Sequence, residues 1–167
     1  MNQEISQRPS DGRRNNVLTK YFGELDCPEN ERVHFPRGFF GFEEEKEFFL
    51  LPFEGSGGSL LCFQSAVTPG LAFVAMNPFS VAPDYAPVLP EEELKLLGVE
   101  QSEDLCFYVL CVVRDPIGES TLNLKCPVAL NDRTQTAVQV ILESGNYQMH
   151  HRLAEFESAP EGEEKVC

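Results

Sequence analysis

Bases are scarce in this sequence: 13 Lys and Arg stand against 27 Asp and Glu in 167 residues, a formal net charge of −14. That shortage argues against direct RNA or DNA binding, because neutralising phosphates needs clustered Lys and Arg. It suits a basic protein partner, which an acidic field steers in. No apolar stretch approaches the ~18 residues needed to cross a bilayer. Residues 1–16 hold a single Ile and no other aliphatic beyond Met1, so a secretory signal region is absent and a cytoplasmic protein is expected. The six cysteines, Cys27, Cys62, Cys106, Cys111, Cys126 and Cys167, include no C-x-x-C pair. Cys106 and Cys111 lie five apart in an apolar run read as a strand, so they point to opposite faces and cannot be adjacent ligands of one metal. The internal thiols after Cys27 are expected to be small buried groups, and Cys167 to be exposed.

Catalytic signatures are missing as well. Gly55-Ser56-Gly57-Gly58 lacks the Lys-Ser/Thr ending of a phosphate loop and precedes a strand, not a helix, so it reads as a strand connection. There is no G-x-S-x-G elbow. His150 and His151 are adjacent and point apart on a strand, and His34 reads as a partly exposed strand residue, so neither metal nor cofactor is expected. Glu43-Glu44-Glu45 and Glu91-Glu92-Glu93 read as solvated faces and not as acid/base pairs. A non-enzymatic protein is the expectation; a small-molecule-binding barrel or an uncharacterised enzyme is the alternative, decided by whether the interior is filled or open.

Three regions are expected. Residues 1–17 are polar and without period, a flexible extension; residues 18–153 form one β-barrel domain; residues 154–167, with five Glu against one Lys, form an acidic flexible tail. The central region carries 9 basic and 20 acidic residues, so the acidity belongs to the folded part too. Strands are expected at 18–25, 32–35, 48–52, 60–64 and 71–76, with a central strand at 104–113. Leu122, Leu124, Cys126, Val128 and Leu130 alternate with other residues in a strict period of two, and Pro127 demands an edge or a bulge there. A turn pairing Arg114 with Glu119 sets Phe107 opposite Cys126 and Val109 opposite Leu124. A three-residue loop centred on Arg133 then matches Val128 with Val138 and Cys126 with Val140. Pro90 to Gly98 reads as a two-turn helix, with proline first, acids in the first turn and glycine last. Phe42 to Glu47 is either one more turn or a solvated loop. The fold class is all-β: a partly open antiparallel barrel or roll with one or two very short helices.

A contact surface is expected on the proline-punctuated segment Asn77-Pro78-Phe79 and Pro83-Asp84-Tyr85-Ala86-Pro87. Rings on a stiff loop offer contact area at low entropy cost. In the competing reading, Phe79 and Tyr85 plug the barrel end. Asp84 is positioned to receive a basic group. Glu43 and Glu44 join Phe79, Asp84 and Tyr85 as candidate protein-binding residues on expected exposure.

Read in order, local signatures resemble the FliW family of flagellar assembly factors. They are Tyr21-Phe22-Gly23-Glu24, Phe35-Pro36-Arg37-Gly38-Phe39-Phe40-Gly41-Phe42-Glu43, Phe49-Leu50-Leu51-Pro52, Gln64-Ser65 and Leu71-Ala72-Phe73. Asn77-Pro78-Phe79, Pro83-Asp84-Tyr85, Thr121-Leu122-Asn123-Leu124, Pro127-Val128, Asn131 and Gln139-Val140-Ile141-Leu142 complete the series. The resemblance covers about Thr19 to Tyr147. It implies a partly open antiparallel β-barrel and a non-enzymatic role in motile bacteria. It further implies binding to CsrA, a small RNA-binding repressor dimer, which relieves repression of flagellin synthesis, and alternate binding to flagellin; the protein alone is expected to be a monomer. The N-terminal extension and acidic tail lie outside the match and inherit no role.

Overall fold

The computed structural model describes residues 14–143 and 145–156. A hairpin opens the chain, with β1 (Arg14–Leu18) antiparallel to β2 (Glu24–Pro28). Then follow β3 (Arg32–His34), β4 (Glu47–Pro52), β5 (Leu60–Ser65) and β6 (Ala72–Met76). Helix α1 (Glu91–Leu97) precedes β7 (Cys106–Val112), β8 (Thr121–Leu122), β9 (Val128–Asn131), β10 (Thr136–Gln139) and β11 (His151–Arg152). Strands β7-β6-β5-β4-β3-β10-β9 run in that order, and a β7–β9 pairing closes them into a seven-stranded barrel. The ring is thus shut where an open edge was expected, and its β10–β3 contact at Thr136 and His34 is parallel. Closure removes strand edges that would otherwise invite aggregation.

Alternation along the strands builds two layers. Val33, Phe48, Phe63, Ala75, Val128, Leu130 and Ala137 share one buried cluster with the half-buried Tyr108 and Leu110. Every ring strand contributes, so this cluster is the barrel interior. The opposite face of β7, with Phe107, Val109 and Cys111, belongs to a second cluster beneath residues 77–105. A smaller cluster, Val17, Cys27 and Phe49, seats the β1–β2 hairpin on β4. Strand β1 therefore begins at Arg14, inside the stretch 1–17 read as an extension. The remainder of that extension, residues 1–13, lies outside the described residues.

The loop before β4 fills the barrel end. Phe35 and Phe39 are fully buried among Phe48, Phe63 and Phe73. Gly38 makes the turn possible: its φ is +66°, and a Cβ there would lie 2.5 Å from the Phe42 carbonyl oxygen. Residues 42–47 form no helix; Phe42 N–H donates to Phe39 O (2.8 Å) in a tight turn instead. Helix α1 matches its signals, ending on Gly98 at φ +75°, with Asn131 Nδ2 donating to Leu97 O (2.8 Å).

Two registers depart from expectation. Cys111 pairs with Leu122, as the Arg114–Glu119 turn requires. Extending that register would set Phe107 against Cys126, yet the ladder sets it against Ala129, three residues on. Residues 123–127 leave the ladder: Pro127 has no N–H, and Asn123 Oδ1 accepts the Cys126 N–H (3.0 Å). An odd slip exchanges faces, so Leu122 and Leu124 join the outer layer while Val128 and Leu130 turn inward. The loop between β9 and β10 is also not three residues long. Val138 pairs with Ala129 and Gln139 with Val128, leaving residues 132–135 as a four-residue loop. Gln135 takes φ +58° there, and its N–H donates to Asn131 O (2.8 Å).

After β11, a 3-10 turn at Leu153–Phe156 packs Leu153 and Phe156 against the outer cluster, and Leu153 N–H donates to Ser120 O (2.8 Å). The tail read as starting at Ala154 therefore has its first three residues in the fold; residues 157–167 lie outside the described residues. Removing 157–167 is expected to leave the melting temperature unchanged. Removing 154–167 is expected to lower it by ~2–6 °C, roughly 1–2 kcal/mol of lost apolar burial. Differential scanning fluorimetry of both truncations checks this.

Candidate functional site

The segment from Asn77 carries its own local order. Asn77 Oδ1 accepts the Phe79 N–H (2.9 Å), and Ser80 Oγ donates to Asn77 O (2.7 Å), so a single turn starting at Pro78 holds the Phe79 ring over the outer layer. Phe79 lies 5.8 Å from the Tyr85 ring and 6.5 Å from Phe107, and stays 38% exposed. Tyr85 is only 4% exposed. Its hydroxyl donates to Leu124 O at 2.6 Å, and its ring meets Tyr147 edge-on at 4.7 Å. Burial pushes the Tyr85 phenol far up, so it remains a donor at any ordinary pH. The two rings expected to act alike divide: Phe79 is on the surface, and Tyr85 belongs to the core. Asp84, next to it, is exposed.

Phe79, Tyr85, Val88, Leu89, Leu94, Leu105 and Phe107 line a groove of about 640 Å³. Among the described residues its ionisable lining, besides Tyr85, is Glu100 and Glu103, and no base lines it. Leu89 N–H donates to Ser102 Oγ (3.1 Å), fixing one wall to the other. The groove is an apolar trough with an acidic rim, the profile of a protein-docking surface. Val88, Leu94, Glu100 and Glu103 were not singled out from the sequence. They converge only because α1 and the chain after Gly98 fold back over the outer face of β7.

Glu43 and Glu44 are exposed but do not line this groove. Glu43 Oε2 accepts the Gly41 N–H (3.0 Å), which holds its carboxyl below the usual range. Their loop is tied to α1 by Arg37, which pairs with Glu93.

Chemistry elsewhere is sparse. The barrel interior is filled by phenylalanine rings with centroids 4.4–6.1 Å apart. Burial pushes the Cys111 thiol up to about 12 and the Cys62 thiol up to about 11, which disfavours the nucleophilic thiolate in both. His34 Nδ1 meets Glu47 across β3–β4 at 2.6 Å, and His151 Nε2 accepts the Gln148 N–H (2.9 Å). Among the described residues no group of three or more His, Cys, Asp or Glu is placed to hold a metal, and no helix is long and apolar enough to cross a membrane.

Comparison with known proteins gives a consistent result. A family model described as FliW protein matches residues 16–153. The chain is 39% identical over 137 residues to the flagellar assembly factor FliW of Geobacillus kaustophilus, across 82% of this chain and 94% of that one. Against the flagellar assembly factor FliW of Heliobacterium modesticaldum it is 35% identical over 137 residues, across 82% and 89%. A crystal structure of the flagellar assembly factor FliW superposes with a TM-score of 0.77 at 37% identity, covering 83% of this chain and 96% of that one.

Proposed function

The chain belongs to the FliW family of flagellar assembly factors, and from that premise we propose that it works by binding proteins, with the Phe79–Phe107 groove as its docking surface. The observation that carries this is the groove itself: apolar walls, a half-exposed aromatic ring and, among the described residues, carboxylates as the only charges that line it. The partners proposed are CsrA, an RNA-binding repressor whose basic surface complements a −14 protein, and flagellin. Holding CsrA away from flagellin messages would let flagellin synthesis proceed, and exchange for flagellin would couple that synthesis to assembly. No catalytic step enters this reading.

Binding of the purified chain to CsrA and to flagellin from the same organism tests it. Association with CsrA is expected to slow by tenfold or more as ionic strength rises from low to physiological. Association with flagellin, through more apolar chain ends, is expected to change less. A chain that binds neither protein at micromolar concentration would remove the proposal.

A further inference from the structure

Strands β6 and β7 pair only at Ala75–Leu110 and Met76–Val109. Toward the start of β6 they part, and a cleft of about 450 Å³ opens between residues 72–74 and 110–113. Ladder parity tells which main-chain groups face it. Ser65 N–H donates to Leu71 O, while Leu71 N–H turns back to Thr68 O (3.0 Å); on the parity that the first bond sets, Phe73 and Ala75 direct their amides at β5, and Ala72 and Val74 direct theirs toward β7. Across the gap, Asn123 N–H donates to Leu110 O, so 110 and 112 serve β8, and Val113 turns toward β6. Ala72 and Val113 would be the next pair but one beyond Met76–Val109 on that side, yet the ladder stops short of them. Their amides look into a cleft walled by apolar side chains, a setting in which main-chain groups call for partners.

The chemistry of the walls narrows the occupant. Val112 and Val113 are each 49% exposed and Met149 is 46% exposed, an apolar surface open to solvent. Among the described residues no carboxylate lines the cleft of this acidic chain; His150, Tyr21 and the Cys111 thiol are its only ionisable groups. A cationic segment finds no counter-charge there, and an anionic one is repelled by the surrounding protein. We propose that this cleft is a second docking site, which takes an extended, uncharged, apolar segment of a partner protein by main-chain strand pairing. It shares no lining residue with the Phe79–Phe107 groove, so occupation of one leaves the other open.

The test uses the full chain and a labelled hexapeptide, N-acetylated and C-amidated, of sequence Thr-Val-Thr-Val-Thr-Val, read by fluorescence anisotropy. Saturable binding is expected. N-methylation of alternate peptide amides, which keeps every side chain, is expected to weaken it at least tenfold. Met149→Glu, outside the strands, is expected to do the same with the melting temperature unchanged. Val113→Pro, which deletes one inward N–H, is expected to weaken binding several-fold, and it serves as the second variant should Met149→Glu melt early. Glu100→Gln with Glu103→Gln is expected to leave peptide binding as it was. Equal binding of the N-methylated peptide, undiminished binding by both cleft variants, or no binding at all would overturn the proposal. So would binding that emerges only when residues 157–167 are removed, since the occupant would then be this chain's own tail.

Discussion

Phe39→Ala is expected to lower the stability of this protein by about 3–5 kcal/mol, the cost of deleting a fully buried aromatic ring and leaving a cavity behind. Phe39 is 1% exposed and lies 4.5 Å from Phe35, 4.9 Å from Phe48, 5.6 Å from Phe63 and 4.4 Å from Phe73, ring to ring. Those partners come from a loop and three different barrel strands, so no single neighbour can move in without disturbing another. Collapse of the cavity is therefore hindered, and the upper half of the range is expected. Since small domains hold only about 5–15 kcal/mol in total, the variant sits near the edge of folding. Urea denaturation measures the difference; a loss below about 1.5 kcal/mol would mean that the barrel end is loosely packed. The same plug explains the run Phe35-Pro36-Arg37-Gly38-Phe39. Two rings enter the barrel only if the chain turns sharply between them, and at Gly38 there is no room for a Cβ.

The second large effect separates two rings 5.8 Å apart. Tyr85→Ala is expected to cost ~3–5 kcal/mol of stability, because it empties a core position and leaves the Leu124 carbonyl without its donor. The milder Tyr85→Phe isolates that hydrogen bond and is expected to cost about 1–2 kcal/mol. In Tyr85→Phe, which keeps the ring in the groove wall, the folded fraction is expected to keep its partner affinity. Phe79→Ala is expected to behave the opposite way. Its melting temperature stays close to that of the parent, and affinity for the groove's partner falls by ~2 kcal/mol, roughly thirtyfold. Melting and binding measured on the same preparations decide; lowered melting with unchanged affinity in Phe79→Ala would place that ring in the core as well.

Much of this fold is legible in the residues. The apolar runs near 32–35, 48–52, 60–64, 71–76 and 104–113 are strands, and Pro90 and Gly98 bracket the helix. Where the reading fails, the cause is physical. Strand β10 is covered on both sides, by the interior at Ala137 and by the outer layer at Val138, so hydrophobicity alone favours neither register. Alternation from Leu122 to Leu130 is real, but it spans a break at residues 123–127 where the two halves serve different layers. Strand β1 reads Arg-Asn-Asn-Val-Leu with only Val17 buried, too polar a pattern to mark a strand before its partner β2 is known. The groove lay beyond sequence reasoning for a different reason. Phe79, Val88, Leu94, Glu100, Glu103 and Phe107 share no period, and only the return of the chain over β7 makes them one surface. Phe79 was reachable, because Asn77-Pro78 announces a stiff turn.

The central claim is that the acid-rimmed groove receives a basic partner, and replacing its two rim charges is the most direct measurement of it. Glu100→Gln with Glu103→Gln alters two lining carboxylates without changing shape or apolar area. The account predicts an unchanged melting temperature, an association rate with CsrA reduced severalfold at low ionic strength, and a shallower dependence of that rate on salt. An association rate and salt dependence identical to those of the parent chain would contradict it.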